Sequence, residues 1–596
     1  MFQSFEVTAR PEQGPPRLAA LRLRMAELEL DGFLVPRADV HQGEYVAPRD
    51  ERLAWLTGFT GSAGFCAVLA RIAGVFVDGR YRTQVKTQVA AEFTPVPWPE
   101  TGLADWLKEQ LPNGGSVGFD PLLHTAGQVE ALETALAATD ICLKPTHNLV
   151  DDIWTDQPAA PVAPVKVHPL EFAGESHRDK CQRLAQTLQS AGQNAALITL
   201  PDSLCWLLNI RGSDIPRNPV AHGFAVLISD ATVHLFMALG KLDEVQAHLT
   251  EGITVHTPDH LDPFLRALKG PVRAEKKTVP KAFAELLGDR LVWGEDPCAL
   301  PKACKNAAEI AGAAAAHLRD GAAVVELLAW LDAQPASSLT ETAVVSKLEG
   351  FRRKDNALQD ISFETIAGAG SNGAIMHYRV TEETDSTLED GHLLVLDSGG
   401  QYLDGTTDIT RTIAIGAPPE DGKMAFTRVL QGMIAMSRLR WPIGLAGRDI
   451  EAVARVPLWH AGQDFNHGVG HGVGAYLSVH EGPQRLSKIS HVPLAPGMIL
   501  SNEPGYYREG AFGIRIENLI VVEEAPVPPG GDEERAMLCW RTLTYVPIDR
   551  RLICVDMLTE AERDWLDHYH AEVLEYIGPR VSPTTLAWLE RATAPL

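Results

Sequence analysis

The sequence predicts two related α/β domains followed by a larger domain of α+β type. Three observations support this fold class. Helix and strand patterns alternate over roughly the first 155 residues, the same order returns after a Pro- and Ala-rich stretch at 157–164, and the pattern changes near residue 305. We therefore expect domains at 1–157, 158–304 and 305–596.

The two N-terminal domains are predicted from matching pairs of elements. A helix over 17–30, with apolar residues at helical spacing, precedes a strand over 32–36. A helix over 178–190 and a strand over 195–200 repeat this order. The repeat is too long for a solenoid, so two copies of one α/β domain are expected. The alternative is two unrelated α/β units that share generic patterning.

The third domain begins with Ala-rich amphipathic segments. We expect one helix from Ala307 to His317 and a second from Gly321 to Leu331. Helices and hairpin-like strands then alternate up to Val555, and a polar helix follows over 560–576. This mixture is typical of α+β architecture and not of regular βαβ winding.

Charge and composition exclude several classes of protein. The chain has 53 Lys and Arg against 77 Asp and Glu, a formal net charge of −24. Such a surface repels phosphate backbones and anionic membrane faces, so neither nucleic acid nor a membrane is an expected partner. No apolar run reaches the ~18 residues of a membrane span.

The cysteines and the first residues indicate a compartment. The eight cysteines are scattered without a Cys-x-x-Cys pair, and the N-terminal stretch lacks the apolar core of a signal peptide. Reduced, buried thiols and a cytoplasmic location are therefore expected.

A first pair of acidic residues lies in a predicted hairpin. An apolar run ends at Asp397, a Gly-rich turn follows, and strand-like usage resumes at Thr406. A hairpin centred near Tyr402 would place Asp397 opposite Asp408, where two carboxylates repel unless a cation or a shared proton relieves them. The alternative is a surface hairpin with solvated acids.

A second predicted hairpin has the same property. One apolar strand ends at Glu503, and the return strand alternates apolar and charged residues up to Glu517. A turn centred near Gly510 would set Glu503 opposite Glu517. Two hairpins with paired acids at the ends of apolar strands would be a coincidence if all four acids were merely solvated.

Three histidines lie between the two hairpins. His467, His471 and His480 occur within fourteen residues, and glycine occupies every second position around the first two. Such glycine content rules out a stable helix, so this is not a helical zinc-binding pair. A lone histidine would more often be structural, but three together amid glycine favour a metal or acid/base role.

Four carboxylates and one imidazole without a thiolate form a hard donor set. Such a set favours Mn or Co over a structural zinc. Bridging carboxylates can hold two ions ~3.5–4 Å apart, with a hydroxide between them that acts as the nucleophile at neutral pH. The predicted reaction class is metal-assisted hydrolysis.

These residues and their surroundings resemble a known family. The pattern is similar to the dinuclear site of the pita-bread metallopeptidases. It consists of Asp397, Asp408, His471, Glu503 and Glu517, with strings such as Gly470-His471-Gly472-Val473-Gly474 and Val479-His480-Glu481-Gly482-Pro483 around them. Within that family the pattern most resembles the cytosolic three-domain Xaa-Pro aminopeptidases. The resemblance implies two creatinase-like N-terminal domains before a pita-bread catalytic domain.

The resemblance also implies roles for individual residues. Asp397 would bind one metal ion, His471 and Glu503 the other, and Asp408 and Glu517 both. Glu503 would in addition carry a proton to the leaving proline nitrogen.

Further residues are implied around the metals. His377 would contact the substrate after the scissile bond, His467 and His480 would orient the scissile carbonyl, and Arg515 would hold a carboxylate ligand. The implied substrate contacts are Asp39, His41, Arg80 and Tyr507. The sequence departs from the family pattern at Arg379-Val380, where relatives often have a small residue and proline.

The function implied is hydrolysis of the bond between an N-terminal residue and a penultimate proline, with two divalent ions, Mn foremost and Co or Zn as alternatives. The implied partners are peptides with a penultimate proline and a second copy of the chain in a homodimer. Prolidase activity on Xaa-Pro dipeptides is one alternative, although prolidase-like chains usually have a single N-terminal domain. A non-catalytic pita-bread binding protein is the other.

Overall fold

The computed structural model describes residues 1–596, and the chain divides into two compact units. The N-terminal unit comprises Thr8–Leu170 and Glu175–Ala299, and the C-terminal unit comprises Met1–Val7, Glu171–Gly174 and Leu300–Leu596. Among the helices there is none with the length and apolar character that crossing a bilayer requires.

The first domain of the N-terminal unit is a six-stranded mixed sheet with flanking helices. Its strands are β1 (Gly32–Pro36), β2 (Phe65–Leu69), β3 (Ala73–Val77), β4 (Thr94–Pro97), β5 (Gly115–Phe119) and β6 (Ile141–Pro145). Its helices are α1 (Gly14–Glu27), α2 (Arg52–Thr57), α3 (Val85–Gln88), α4 (Leu103–Gln110) and α5 (Ala126–Leu136). The strand order is β4-β3-β2-β1-β5-β6. The central strands read as continuous apolar runs because they are buried on both faces.

The second domain of the N-terminal unit has the same topology. Its strands are β7 (Lys166–Val167), β8 (Ala195–Ile198), β9 (Ile210–Arg211), β10 (Phe224–Ile228), β11 (Val233–Phe236), β12 (Ile253–His256), β13 (Val272–Ala274) and β14 (Leu291–Trp293). Its helices are α7 (His177–Ser190), α8 (Pro201–Leu208), α9 (Leu261–Ala267) and α10 (Lys281–Leu287), and the short α6 (Leu170–Ala173) before them belongs from Glu171 onward to the C-terminal unit. The main sheet has the order β12-β11-β10-β8-β13-β14.

The two sheets correspond strand for strand. In both, the first strand pairs antiparallel with the second and parallel with the fifth, and the third and fourth strands pair parallel. Identical order and direction confirm that the N-terminal unit holds two copies of one α/β domain.

The C-terminal unit contains the longest helix of the chain. Its helices are α11 (Ala299–Ala303), α12 (Ala307–Asp332), α13 (Glu341–Arg352), α14 (Glu420–Ser437), α15 (Gly447–Ile450), α16 (Ala452–Trp459), α17 (Glu560–Ile577) and α18 (Pro583–Ala592). The expectation of two helices before residue 332 is wrong, because α12 runs unbroken through Gly321. A Cβ at Gly321 would lie 3.0 Å from the Tyr545 carbonyl oxygen, so close packing accounts for the glycine there.

The strands of the C-terminal unit form three larger sheets and one hairpin. They are β15 (Leu358–Ile361), β16 (Ile366–Ala369), β17 (Leu393–Ser398), β18 (Gly400–Tyr402), β19 (Gly405–Thr406), β20 (Ile409–Ala414), β21 (Arg440–Pro442), β22 (Gly470–Gly472), β23 (Glu481–Leu486), β24 (Ile499–Asn502), β25 (Gly505–Arg508), β26 (Phe512–Arg515), β27 (Asn518–Glu524) and β28 (Met537–Thr542). The sheet orders are β15-β18-β19, β16-β17-β20 and β21-β28-β27-β24-β22-β23, and β25 pairs with β26. One apolar core joins these strands to α12, α13, α14 and α17.

Candidate metal centre

Asp397 and Asp408 lie on one antiparallel hairpin, as predicted, but in a different register. β17 and β20 pair Asp397 with Thr410, so the expected direct pairing with Asp408 is wrong. The hairpin turns later than expected, after Tyr402, which pairs with Gly405. Because residues two apart on a strand share a face, Asp397 and Asp408 are diagonal neighbours on one side of the hairpin.

Glu503 and Glu517 occupy matching positions, in the register that the sequence predicts. Asn502 pairs with Asn518 in one ladder, and Gly505 pairs with Arg515 in the next. Both ladders share one register, which places Glu503 across from Glu517 in the gap between them. Two pairs of acids therefore end up at the ends of buried strands.

His471 lies on β22 and faces two of these carboxylates. Its Nε2 is 3.5 Å from Asp408 Oδ2 and 3.5 Å from Glu503 Oε1. Its Nδ1 is 2.9 Å from the Gly472 carbonyl oxygen, which can only accept a hydrogen bond. Nδ1 therefore carries a proton, and the neutral ring offers its lone pair at Nε2, the nitrogen that would bind a metal ion.

Three of the carboxylates each have one buried oxygen without a hydrogen-bond donor. Asp397 Oδ1, Asp408 Oδ1 and Glu517 Oε1 are buried and accept no hydrogen bond. One ligand atom from each of Asp408, His471 and Glu517 lies within 4.8 Å of the other two. These orphaned oxygens and this hard donor set fit two divalent metal ions.

The acids of the cluster raise one another's pKa. Burial, with the nearby Asp397 and Glu503 carboxylates, raises the pKa of Asp408 well above its usual range. Burial, with Asp408 and Asp397 beside it, does the same to the pKa of Glu517. Burial and the Glu517 carboxylate raise the pKa of Glu503 to about 7. Such crowding of like charges is costly unless cations neutralise it.

Arg515 and Tyr507 connect the cluster to His467. Arg515 Nη2 donates to Asp397 Oδ2 at 2.6 Å, and its Nη1 donates to the Tyr507 hydroxyl at 2.6 Å. The Tyr507 hydroxyl lies 3.0 Å from His467 Nε2, while His467 Nδ1 lies 2.7 Å from the Gly468 carbonyl oxygen. The His467 ring is thus held at both nitrogens. In the neutral ring with its proton on Nδ1, Nε2 accepts a hydrogen bond from the Tyr507 hydroxyl.

The other two predicted histidines lie in the same unit. The His480 ring packs edge-on against the His471 ring, with centroids 4.3 Å apart. His377 is half-buried and follows Met376, whose carbonyl oxygen accepts a hydrogen bond from Arg515 Nη2 at 3.3 Å. Both lie next to residues that contact the carboxylate cluster.

Asp39, His41 and Arg80 lie in the N-terminal unit, where they are well anchored. Asp39 Oδ1 accepts hydrogen bonds from the backbone N–H groups of His41 and Gly43. The His41 ring stacks on Phe224 of the second domain at 4.5 Å. Arg80 forms an ion pair with Asp78 at 2.7 Å. Their contact with substrate stays a prediction.

Two hydroxyl residues of the site were not predicted. The Thr410 hydroxyl donates to Glu517 Oε2 at 2.8 Å. Ser501 Oγ donates to Glu503 Oε1 at 3.1 Å and accepts from the backbone N–H of His471 at 3.0 Å. Each hydroxyl lies two positions from a predicted ligand in sequence, so strand alternation is the signal that could have found them.

Family profiles match almost the whole chain. Two profiles described as "Creatinase/Prolidase N-terminal domain" match residues 17–153 and 156–309. "Metallopeptidase family M24" matches residues 302–524, and "C-terminal region of peptidase_M24" matches residues 536–596. The matches confirm the predicted fold class, with two related N-terminal domains before a pita-bread domain.

Relatives and a solved structure cover the chain end to end. The chain is 38% identical over 608 residues to "Probable Xaa-Pro aminopeptidase P" of Talaromyces marneffei, covering 97% of this chain and 92% of that one. A protein of the same name from Aspergillus fumigatus is 38% identical over 614 residues, with the same coverage. The chain superposes on the crystal structure of X-prolyl aminopeptidase from Caenorhabditis elegans with a TM-score of 0.93 at 33% identity, covering 98% of this chain and 99% of that one. The Caenorhabditis elegans protein is described as a cytosolic enzyme with a di-nuclear active site.

The fold and the carboxylate–histidine cluster together define a metal-dependent peptidase. The full-length matches are to Xaa-Pro aminopeptidases, so the prolidase alternative is not favoured. The chain belongs to metallopeptidase family M24, and it is a metallo-aminopeptidase.

Proposed function

We propose that this protein removes the N-terminal residue from peptides whose second residue is proline, with two divalent ions in the carboxylate cluster. The observation that carries the proposal is the cluster of Asp408, His471, Glu503 and Glu517, with the Asp397 carboxylate close enough to raise the pKa of Asp408 and Glu517. The chain's full-length similarity to proteins named Xaa-Pro aminopeptidase P supports the choice of substrate.

The donor atoms divide naturally between two ions. We assign Asp397 to one ion, His471 and Glu503 to the other, and Asp408 and Glu517 to both. When bound, the ions would supply an activated water nucleophile at neutral pH and polarise the scissile carbonyl. Manganese is the metal we favour, because carboxylate-rich sites suit hard divalent ions.

The remaining side chains position the substrate and move the proton. Tyr507 and the Gly468 carbonyl fix the orientation of the His467 ring. We assign His467 and His480 to orient the scissile carbonyl of the substrate. Glu503 Oε1 accepts from Ser501 and is the atom we assign to carry a proton to the proline nitrogen. His377 contacts the peptide after the scissile bond.

The proposal is tested with three peptides of matched sequence. We expect the Mn-loaded protein to cleave an Xaa-Pro-Xaa tripeptide and to leave the corresponding Xaa-Ala-Xaa tripeptide intact, as followed by mass spectrometry. The Xaa-Pro dipeptide separates the alternatives, because cleavage of the dipeptide alone would identify a prolidase. Absence of cleavage in all three peptides with Mn, Co and Zn would exclude the proposed activity.

We also propose a cytoplasmic homodimer. The solved relative is described as cytosolic. The homodimer rests on the resemblance to the three-domain Xaa-Pro aminopeptidases. Sedimentation equilibrium should give about twice the 64.8 kDa chain mass, and a monomer mass at micromolar concentration would contradict the dimer.

A further inference from the structure

A fully buried ion pair lies beneath the hairpin that carries Asp397 and Asp408. Asp320 on α12 is 0% exposed, and Arg352 at the end of α13 is 2% exposed. Arg352 Nε donates to Asp320 Oδ1 at 2.5 Å, and Arg352 Nη2 donates to Asp320 Oδ2 at 3.0 Å. The two helices thus present one bidentate charge pair to the strands.

Three hydroxyl groups of the hairpin bind this pair. The Tyr402 hydroxyl donates to Asp320 Oδ1 at 2.9 Å, and the Thr407 hydroxyl donates to Asp320 Oδ2 at 2.6 Å. Arg352 Nη2 donates to Ser398 Oγ at 3.0 Å. All three hydroxyl residues are buried. The Asp320 carboxylate therefore accepts four hydrogen bonds and has no free capacity for a metal ion.

The contacts fall next to the two predicted metal ligands. Ser398 directly follows Asp397, and Thr407 directly precedes Asp408. Consecutive Cα atoms are ~3.8 Å apart and joined by a planar peptide, so fixing one residue of a strand restricts its neighbour. Tyr402 lies at the turn between them. One ion pair therefore holds both arms and the turn of the hairpin.

We propose that Asp320 and Arg352 are positioning residues for the metal centre, which set the separation of Asp397 and Asp408. A buried ion pair is weak support for stability, since well-packed apolar side chains of similar volume often serve as well or better. Here the pair fixes the positions of three hydroxyl groups, because it offers hydrogen-bonding atoms in fixed directions to all three at once. The inference rests on the proposed function only in taking Asp397 and Asp408 as metal ligands.

The alternative is that the pair only stabilises the fold. Both alternatives predict a loss of stability when a contact is deleted, so thermal stability does not separate them. Affinity for metal separates them. If the pair only stabilises the fold, deleting a contact leaves Asp397 and Asp408 in place and metal affinity unchanged. Outer partners of metal ligands typically change metal affinity by about 10–100-fold when removed.

The test removes one hydroxyl and leaves the ion pair intact. Thr407→Val deletes the hydrogen bond to Asp320 and also the one that Thr407 Oγ1 accepts from the Gly400 N–H, with little change in volume. Thr407→Ser keeps the hydroxyl and both bonds. The matched control is Thr427→Val, another fully buried threonine of the same unit, whose hydroxyl bonds the Cys554 N–H and the Lys423 carbonyl instead. Mn²⁺ affinity and stoichiometry are measured by titration calorimetry, and the spacing of two bound Mn²⁺ ions by their electron paramagnetic resonance coupling.

We expect Thr407→Val to weaken Mn²⁺ binding by about tenfold or more and to alter the Mn–Mn coupling, while Thr407→Ser and Thr427→Val stay near wild type. Tyr402→Phe removes a hydrogen bond to Asp320 without touching the Gly400 N–H, so it attributes the effect to Asp320, and it is expected to change Mn²⁺ binding in the same direction. Wild-type Mn²⁺ affinity and coupling in the folded deletion variants, despite lowered melting temperatures, would overturn the positioning role. Failure of the wild-type protein to cleave Xaa-Pro peptides would remove the proposed function but leave this binding comparison valid.

Discussion

Asp320 and Asp408 are both buried in the C-terminal unit, yet their pKa values are shifted in opposite directions. Burial by itself raises the pKa of both carboxyls. At Asp320 the Arg352 guanidinium and the hydroxyl donors more than offset burial, so the pKa falls below its usual range. At Asp408 the neighbours are Asp397 and Glu503, so the pKa rises well above it.

The difference shows which carboxylate the protein neutralises by itself. Asp320 has its own cation and four hydrogen bonds. The acids of the metal centre have one guanidinium among them, from Arg515, and three of their oxygens accept no hydrogen bond. A buried carboxylate without a protein cation either binds a proton or binds a metal ion. The comparison therefore separates an acid that is neutralised within the fold from the acids that we assign to metal.

The largest effect is expected from removing Asp408. Because we assign Asp408 to both ions, Asp408→Ala should lower kcat/KM for an Xaa-Pro-Xaa peptide by roughly three orders of magnitude or more, near the limit of detection. Metal analysis should show loss of at least one of two bound ions. The control is Asp421→Ala, which removes an exposed carboxylate paired with Arg508. Substantial turnover in Asp408→Ala would contradict the two-ion assignment.

The sequence predicts the metal centre better than the elements that support it. The five donors are recognisable from residue type and spacing, and the Glu503–Glu517 register follows from a local turn at Gly510, whose φ is +74°. The Asp397 register is set by a non-local contact. A Cβ at Gly405 would lie 3.0 Å from Ala313 Cα, so this turn packs closely on α12, a contact that the local sequence does not show.

Residues that act through tertiary contacts leave no pattern in one sequence. Asp320 lies in the middle of α12 and Arg352 at the end of α13, and nothing in their local sequence distinguishes them from ordinary charged helix residues. The His41 stack on Phe224 likewise joins two domains, which local patterns cannot show. The fold class was predictable because periodicity is local, whereas these partnerships are not.

A smaller effect is expected on stability when metal is removed. Each ion that binds only the folded state stabilises it by about 2.7 kcal/mol at a free concentration 100 times its Kd. Chelation should therefore lower the melting temperature of the C-terminal unit, and added Mn²⁺ should restore it. Mn²⁺ should raise the melting temperature of Asp408→Ala by less than it raises that of the wild type, because the variant binds fewer ions. An identical melting temperature for wild-type protein in chelator and in Mn²⁺ would contradict a shared role for metal in stability and catalysis.

The smallest effect is expected on the pH dependence of the metal-free protein, where Asp320 and Asp408 should act in opposite senses. The raised pKa values of Asp408 and Glu517 mean that the folded state binds more protons than the unfolded state above about pH 4. Their contribution to stability is present at low pH and is lost as the pH rises through the raised values. The lowered pKa of Asp320 contributes stability above about pH 4 that disappears only on further acidification.

As the pH rises above about 4, the chelated wild-type protein should thus lose stability through Asp408 and Glu517, while Asp320, already ionised in both states, adds no slope. Asp408→Asn removes one titrating acid, so its melting temperature in chelator should fall less steeply with pH than that of the wild type. Asp421→Asn is the surface control and should keep the wild-type slope. Equal slopes for Asp408→Asn and wild type, measured by calorimetry in chelator, would mean that Asp408 does not hold a proton in the metal-free fold. The contrast with Asp320 would then rest on geometry alone.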